Sequence, residues 1–417
     1  MLLSAARAEA GPSDLGPQLS PLVTTYGLSG VVATRVTSRG VAAEGATGRA
    51  VIDPGDPARE RPLTVDAPLR WASVSKLVTT IGIMRLVEQG TLDLDRDVSD
   101  YLGWQLRNPA HPDVPVTLRL LLSHRSSLTD GGGYTFLLGE RIRDKLGADS
   151  WAKEGPGGVF SYANVNYGVA ASVMEAATGE RFDRLMTRLV FAPLKLDACY
   201  NWSGCSPAAL AKAVVLYRKG LDETQWRPEG PWIAQVDDLR GRPPECLVRR
   251  PEGAACDLSG YRPGDNGALF SPQGGVRMSV RDMGVIARLL LNDGKVDGVR
   301  LLRPASVRAM FTLQWRMGQG ATGDTYGGLM RCWGLSVQCQ IGEAPGQDQP
   351  LYPLRTRWAG HLGDAYGLWS GLWIDRRDGR AYVYAVTGTA DDPAKQPGKV
   401  SGYKAYEEAV LARLAAR

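Results

Sequence analysis

The chain has 417 residues, of which 44% are hydrophobic and 22% are charged, as in ordinary globular proteins. This length allows a large core and predicts two lobes rather than one. The formal net charge of +5 comes from 49 basic and 44 acidic residues without a long basic run, which gives no support for nucleic-acid binding.

The sequence also argues against a membrane span and a metal site. No apolar run approaches the roughly 18–20 residues that cross a bilayer, so we expect no integral membrane segment. The three histidines (His111, His124, His361) lie far apart, and no Cys-x-x-Cys spacing occurs. We therefore expect no structural zinc and no cofactor.

The N-terminus allows two interpretations. Residues 1–10 end in an Ala-x-Ala pattern before Gly11-Pro12 and resemble the tail of a secretory signal without its hydrophobic region. A plain disordered terminus explains the same residues. In either case we expect residues 1–24 to be flexible.

The next elements follow from periodicity and turn residues. Residues 28–36 and 40–48 predict a β-hairpin, and an apolar helix follows from about residue 73 to a C-cap at Gly90. Between about 95 and 300 strand patterns are sparse, and helices are predicted at 118–122, 167–177, 182–189 and 279–291. A Pro/Gly-rich stretch from about 200 to 275 predicts a surface insertion.

Strand patterns return near the C-terminus, at 332–340, 367–374 and 381–387, and residues 403–416 predict an amphipathic helix. The predicted fold class is therefore α+β, with an antiparallel sheet built from both chain ends and flanked by helices. The predicted domains are a sheet domain of residues 25–95 with 300–417 and a mostly helical domain of 96–299, with the insertion at about 200–270.

The six cysteines fall into close pairs. Cys199 with Cys205 and Cys246 with Cys256 lie in loop-rich segments and favour disulfides in an oxidising compartment. Cys332 and Cys339 flank a predicted strand, and seven extended residues span roughly 23 Å, far more than a disulfide allows. We expect these two not to bond unless a bulge or turn intervenes. Buried free thiols remain the alternative for all six.

The most informative motif is Ser73-x-x-Lys76 at the start of the apolar helix. Helix positions i and i+3 share a face, so amine and hydroxyl can meet, and a buried lysine must pair, lose its proton or react. This combination predicts an activated nucleophile. The pattern recurs at Ser150/Lys153 and Ser401/Lys404, which we interpret as surface coincidences because they lack the partners described next.

Two further segments supply those partners. Tyr162-x-Asn164 is the single Tyr-x-Asn in the chain, and a tyrosine becomes a base near neutral pH only beside a cation such as Lys76. The alternative is a packed loop tyrosine with Asn164 capping the next helix. His361-x-Gly363 precedes an apolar strand, where glycine lets backbone approach a ligand. The alternative is a strand-edge histidine with satisfied hydrogen bonds.

In this order the three motifs resemble the signature of the class C β-lactamase-like family, which includes penicillin-binding D,D-peptidases, D-aminopeptidases and family VIII-type esterases. Residues 121–128, 271–282 and 301–310 are also similar to segments of that family. The resemblance spans about residues 25–415 except for the 200–270 stretch. It implies a β-lactamase/transpeptidase-like fold and a serine hydrolase.

The resemblance also implies roles for individual residues. Ser73 would be the acylated nucleophile, and Lys76 and Tyr162 would share proton transfer. Asn164 would bind Lys76 or a substrate amide.

The third motif departs from the β-lactamase pattern. His361 would replace the lysine that begins it, and the backbone N–H groups of Ser73 and Asp364 would form the oxyanion hole beside Gly363. A histidine attracts a carboxylate less reliably than lysine, and Leu362 lacks the hydroxyl of the usual threonine. Asp364 adds negative charge.

These departures argue against efficient penicillin hydrolysis and favour an ester, or an amide with a neutral or amine-bearing end. Trp71, Tyr366 and Trp369 are candidates for an apolar acyl pocket, although such aromatics are more often core. The leading hypothesis is an esterase or amidase acting on a small-molecule or peptide-like substrate. A β-lactamase or D,D-carboxypeptidase and a catalytically idle binding protein are the alternatives. We expect a periplasmic or secreted location, with cytoplasmic as the alternative.

Overall fold

The computed structural model describes residues 11–318 and 322–416. Five long strands form the centre of its largest sheet: β1 (Gly30–Thr37), β2 (Val41–Val51), β3 (Ala359–Ala365), β4 (Leu368–Asp375) and β5 (Arg380–Val386). Their spatial order is β2-β1-β5-β4-β3, and every neighbouring pair is antiparallel. Both chain ends therefore contribute to one sheet, as the sequence predicts.

Short strands extend this sheet on both sides. Beyond β3 lie Gln338–Cys339, Cys332–Trp333 and Trp315–Arg316, and beside β2 lie Ser13–Asp14, which runs parallel to it, and Arg61–Pro62. Gln338 and Cys339 pair only with Gly360 and Ala359 of β3. The remainder of β3, from His361 onward, pairs with β4 but has no neighbour on its other edge among the described strands.

The described residues contain five helices of eleven or more residues: α1 (Gly16–Tyr26), α2 (Ser75–Glu88), α3 (Val165–Thr178), α4 (Val280–Leu291) and α5 (Ala405–Ala415). Helices α1 and α5 contact each other and cover one face, where Trp373, Tyr384 and Tyr406 are buried. Helix α4 contacts β1 and β5 on the other face. Its apolar stripe starts behind a capping box formed by Ser279 and Asp282.

Helix α2 lies in the interior, with eleven of its fourteen residues buried. Shorter helical segments are Pro57–Arg59, Ala72–Val74, Ser99–Leu102, Leu118–Leu122, Asp130–Gly132, Ile142–Lys145, Ala148–Ser150, Phe182–Met186, Thr187–Phe191, Pro207–Lys212, Gly267–Phe270, Pro304–Phe311 and Pro393–Lys395. Further short strands are Leu69–Arg70, Val159–Phe160, Cys199–Tyr200, Leu216–Arg218, Ile233–Val236, Val276–Met278, Lys295–Val296, Val299–Arg300, Thr322–Gly323 and Gly388–Thr389.

The expectation of a flexible stretch over residues 1–24 is wrong for its second half. Helix α1 begins at Gly16, and Leu19 and Leu22 are buried against the sheet. The sequence hides this helix because a proline lies inside it and its apolar residues are few. The possible signal remnant at residues 1–10 lies outside the described residues.

The single strand expected at 332–340 is also wrong. Cys332–Trp333 and Gln338–Cys339 are the two arms of a hairpin, with Gly334–Val337 as its turn, so Cys332 and Cys339 lie opposite each other. Their Cα atoms are 5.3 Å apart and the two sulfurs are bonded. Ser336 has φ 58°, a turn conformation that strand-forming residues on either side conceal.

The other two disulfides join the expected pairs, Cys199 with Cys205 and Cys246 with Cys256. Three disulfides are typical of proteins from an oxidising compartment. None of the helices within residues 11–318 and 322–416 combines the length and apolar character needed to cross a membrane.

Candidate active site

Ser73 lies in the tight turn Ala72–Val74 that leads into α2. Ala72 has φ 44°, which turns the chain sharply just before the serine. The carbonyl of Trp71 accepts a 3.1 Å hydrogen bond from Ser370 of β4, and the Trp71 indole donates to the carbonyl of Met278 at 2.9 Å. The turn is therefore hydrogen-bonded to the large sheet on one side and to the short strand Val276–Met278 on the other.

Lys76 is fully buried one turn further along. Its ammonium nitrogen lies 2.9 Å from Ser73 Oγ, 2.8 Å from Asn164 Oδ1 and 3.1 Å from the carbonyl of Gln273. Burial lowers the pKa of Lys76 to about 7, against the opposing attraction of Asp130. Near neutral pH a large share of these amines is therefore uncharged and able to accept a proton.

Asp130 organises Asn164 and the start of α3. Its carboxylate accepts hydrogen bonds from the backbone N–H groups of Asn164 and Val165 and from the Asn164 side chain, each at 2.9 Å. Because the Asn164 amide donates to Asp130, its oxygen is left to face Lys76. Asn164 thus occupies the position before α3, but its side chain makes no capping hydrogen bond and its oxygen accepts from Lys76 instead.

Tyr162 lies between the short strand Val159–Phe160 and α3. Burial raises its pKa well above the usual value, although the nearby Ser73 side chain opposes this rise. Lys76 Nζ is 4.9 Å from the centre of its ring. The resting tyrosine is therefore a neutral phenol, so the phenolate expected from a neighbouring cation is not favoured here.

His124 fixes the position of Tyr162 through the residues on either side of it and through its ring. Its backbone carbonyl accepts from the N–H of Ser161 at 2.9 Å, and its ring Nδ1 accepts from the N–H of Ala163 at 3.1 Å. The imidazole also stacks on the Tyr162 ring, with centroids 4.4 Å apart. Burial lowers the pKa of His124 well below its usual range, which keeps Nδ1 free to accept.

The third motif lies on the open part of β3. His361 is buried, with its ring 6.2 Å from that of Tyr162 and 5.3 Å from that of Trp333. Its Nδ1–H donates to the Leu362 carbonyl, and burial lowers its pKa to about 3, so it carries no charge near neutral pH. It therefore supplies no cation where a lysine would.

Gly363 touches the nucleophile turn. A Cβ atom on this residue would lie 2.4 Å from Ser370 Oγ, 2.6 Å from the Trp71 carbonyl and 3.2 Å from the Ser73 nitrogen. Only glycine allows β3 to approach Ser73 so closely. The approach brings two backbone segments together beside the nucleophile, as an oxyanion hole requires.

The cleft in front of Ser73 has a volume of about 1440 Å³. Ser73, Asn164 and Asp364 line it, together with most residues between 235 and 249 of the insertion. The Asp364 side chain is exposed at the cleft surface. Partial desolvation by the cleft walls raises its pKa to about 7. The insertion therefore shapes the site rather than covering a distant surface.

The predicted aromatic pocket is wrong in two of its three members. Tyr366 lines the cleft, whereas Trp71 is fully buried in the core and Trp369 packs on Tyr406 beneath the terminal helices. The Leu362 side chain packs into the same apolar cluster as Trp369 and Tyr406, and it has no hydrogen-bond donor. The cleft wall is richer in arginine and carboxylate side chains than the aromatic prediction implies.

The two other Ser-x-x-Lys matches are not exposed patches, because both serines are buried. Ser401 donates to Glu408 at 2.6 Å instead of contacting Lys404. Lys153 is exposed while Ser150 is not. Neither serine contacts its lysine through a hydrogen bond within the described part of the chain.

The structure brings the predicted residues together near Ser73, and their catalytic roles stay predictions: Ser73, Asn164 and Asp364 line the cleft, and Lys76, Tyr162, His361 and Gly363 lie behind its lining. Sequence reasoning missed Asp130, His124 and the carbonyl of Gln273. The first two lie in or next to segment 121–128, whose family likeness was the available signal. A backbone carbonyl leaves no residue-type signal.

A protein-family comparison decides the assignment. The family model described as Beta-lactamase matches residues 18–405. The chain belongs to the Beta-lactamase family.

Individual relatives are more distant. Penicillin-binding protein 4 of Amycolatopsis lactamdurans is 26% identical over 65% of this chain and 62% of its own. Esterase EstB of Burkholderia gladioli is 30% identical over 39% of this chain and 45% of its own. The chain thus spans less than two thirds of these curated relatives. The solved structure of D-amino acid amidase from Ochrobactrum anthropi SV3, complexed with D-phenylalanine, superimposes with a TM-score of 0.64 at 20% identity, covering 96% of each chain, which shows the shared fold.

Replacing Gly363 with alanine will separate β3 from the nucleophile turn. Since the added Cβ would lie 2.6 Å from the Trp71 carbonyl, we expect the rate of Ser73 acylation by a fluorophosphonate probe to fall on the order of a hundredfold or more. The matched control is Gly40→Ala in the β1–β2 turn, where an added Cβ meets open space among the described residues. Unchanged labelling of Gly363→Ala would contradict the close approach.

Replacing His124 with phenylalanine keeps a stacking ring but removes the Nδ1 acceptor. The N–H of Ala163 would then be buried without a partner, so the free energy of unfolding should fall by about 1–3 kcal/mol. The segment around Tyr162 would lose one of its two hydrogen bonds to His124, so the rate of ester turnover should also fall. Denaturant unfolding and steady-state kinetics measure both effects, and His124→Gln, which restores an acceptor, should recover part of each. Equal behaviour of the two variants would contradict the role of Nδ1.

Proposed function

We propose that the protein is a serine hydrolase that forms an acyl-enzyme on Ser73, acting as an esterase or amidase. The observation that carries this proposal is the 2.9 Å contact between Ser73 Oγ and a buried Lys76 whose pKa is lowered to about 7. A serine next to an uncharged amine can lose its proton as it attacks a carbonyl.

In the first half-reaction the neutral amine of Lys76 takes the proton of Ser73, and Oγ bonds to the substrate carbonyl carbon. The backbone N–H groups of Ser73 and Asp364 bind the oxyanion that forms. Tyr162, a phenol in the resting site, gives its proton to the departing oxygen or nitrogen and regains one from the Lys76 ammonium. The amine is then free again, and the leaving group departs protonated.

The second half-reaction repeats these steps with water as the nucleophile. Water gives a proton to Lys76 and its oxygen attacks the acyl carbon, and Ser73 is released as a hydroxyl. A high pKa of Tyr162 suits the donor in both halves, because a phenol rather than a phenolate stands next to the leaving atom. Lys76 is therefore the acylation base in this proposal.

The third motif supports a substrate other than a penicillin. His361 is uncharged and buried, and Leu362 supplies no donor, so the usual cation and hydroxyl for a β-lactam carboxylate are both missing. The similarity to an esterase and the shared fold of an amidase are consistent with this reading. The three disulfides support a periplasmic or secreted location.

A fluorophosphonate probe tests the nucleophile. We expect labelling of the wild-type protein and none of Ser73→Ala, with Ser401→Ala as a matched control that keeps full labelling, because Ser401 is buried away from the cleft and donates to Glu408. Absence of any labelling would overturn the enzyme assignment and favour a catalytically idle binding protein.

Parallel turnover of a short-chain nitrophenyl ester and a chromogenic cephalosporin ranks the substrates. The ester should win in kcat/KM by about tenfold or more, since a lost donor to a charged acceptor costs roughly 1.5–3 kcal/mol. A cephalosporin preference would instead support a β-lactamase or D,D-carboxypeptidase.

The pH dependence tests the base. Because the pKa of Lys76 is lowered to about 7, kcat/KM for a neutral ester should rise through about pH 7 as the amine loses its proton. Asp130→Asn removes the carboxylate that raises this pKa, so the acidic limb should move to lower pH. A flat profile between about pH 5.5 and 8.5, or a shift in the opposite direction, would contradict Lys76 as the base.

A further inference from the structure

Two arginines meet at one tyrosine in the cleft. Tyr366 follows β3 directly, three residues after the Gly363 approach to Ser73. The guanidinium of Arg70 lies 5.0 Å from the centre of the Tyr366 ring, and Arg249 Nη2 donates to the Tyr366 hydroxyl at 3.4 Å. Arg70 precedes the nucleophile by three residues, whereas Arg249 belongs to the insertion.

Neither guanidinium has a carboxylate partner within ion-pair distance in the described part of the chain. Arg70 donates only to the carbonyl of Gly274, and its Nε is shut off from water without a partner among the described residues. Burial lowers the pKa of Arg70 to about 10, and repulsion from Arg277 and Arg249 adds to the effect. The carboxylate of Asp237 opposes this lowering, but it is bound to Arg277, so no carboxylate among the described residues contacts Arg70 directly.

Most acidic side chains of the cleft wall are already paired. The pairs are Asp237 with Arg277, Asp238 with Arg59, Glu223 with Arg218 and Glu245 with Arg250. Asp130 accepts from the start of α3, and Asp364 is an exposed carboxylate two residues before Tyr366. Among the described residues, the two guanidinium groups at Tyr366 are therefore cleft cations without a carboxylate in direct contact.

The proposed mechanism fixes which part of a substrate reaches this end. Tyr162 protonates the leaving group and is not among the described residues that line the cleft. The leaving group must therefore lie on the Tyr162 side of Ser73. The acyl part would then occupy the cleft itself, whose lining includes Asp364, Ala365 and Tyr366.

We propose that Arg70, Arg249 and Tyr366 form a binding subsite for a carboxylate on the acyl part of the substrate. This inference rests on the proposed hydrolase function and sharpens its substrate class to acyl groups with an anionic end. A guanidinium binds a carboxylate in a planar, charge-assisted contact, and the tyrosine hydroxyl adds a donor. The anion would supply the charge that the two arginines lack.

Three nitrophenyl esters with a common leaving group test the subsite. The acyl groups are adipate with a free carboxylate, its neutral methyl ester, and a 6-aminohexanoyl group. After subtraction of the buffer rate, we expect kcat/KM for the carboxylate to exceed that for the methyl ester by about tenfold or more, with the amine slowest. The preference should shrink as salt is raised, because exposed Arg249 is screened.

Variants identify the residues responsible. Arg249→Gln should reduce the carboxylate preference by about five- to tenfold, and Arg249→Glu should reverse it in favour of the amine. Arg242→Gln removes the same charge from an exposed position of the same wall and should leave the preference unchanged. Arg70→Gln is compared only if its thermal unfolding matches the wild type, since that side chain is part-buried.

The outcomes separate the two proposals. Turnover of all three esters at similar kcat/KM, or an equal loss in Arg242→Gln and Arg249→Gln, would overturn the subsite and leave the hydrolase intact. Failure to turn over any ester, together with no fluorophosphonate labelling of Ser73, would overturn the hydrolase and the subsite with it.

Discussion

The burial of one amine governs the arrangement of this site. Lys76 has no contact with solvent, and its three partners are a hydroxyl, an amide oxygen and a backbone carbonyl. Neutral acceptors stabilise an ammonium less than a carboxylate does, so the uncharged form of Lys76 is more populated. Asp130 restores part of the balance from behind Asn164. A carboxylate in direct contact would fix the proton on the lysine and remove its use as a base.

The nucleophile therefore depends on segments far apart in the sequence. Asn164 comes from the start of α3, Gln273 from the segment before Val276–Met278, and Gly363 from β3. Each approaches Ser73 or Lys76 through a backbone atom or a short side chain, which leaves little freedom for adjustment. Tyr162 is held in the same way, between two hydrogen bonds of His124 and a stacked ring.

The sequence predicts the central strands and the nucleophile helix better than the elements at the edges of the fold. The hairpin β1–β2, the strands β4 and β5, and the nucleophile helix follow from apolar periodicity, which records burial directly. Helix α1 and the 332–339 hairpin do not, because a proline in one and a φ 58° residue in the other run against local preference. In the site, Ser73, Lys76 and Tyr162 are visible as side-chain types at fixed spacing. The pKa directions of Lys76 and Tyr162 depend on desolvation by the whole fold, which no local pattern encodes.

The hairpin closed by Cys332 and Cys339 adds a covalent element next to the reacting groups. Its turn residue Ser336 shares hydrogen bonds with Thr80 of α2 and with Tyr167, and Trp333 packs against the rings of His124, Tyr162 and His361. The hairpin that contacts the nucleophile helix is thus closed by a disulfide, which forms only under oxidising conditions. In a thiol-rich environment the same polypeptide would lack this covalent link, so the maturation of this site is coupled to the redox conditions in which the chain folds.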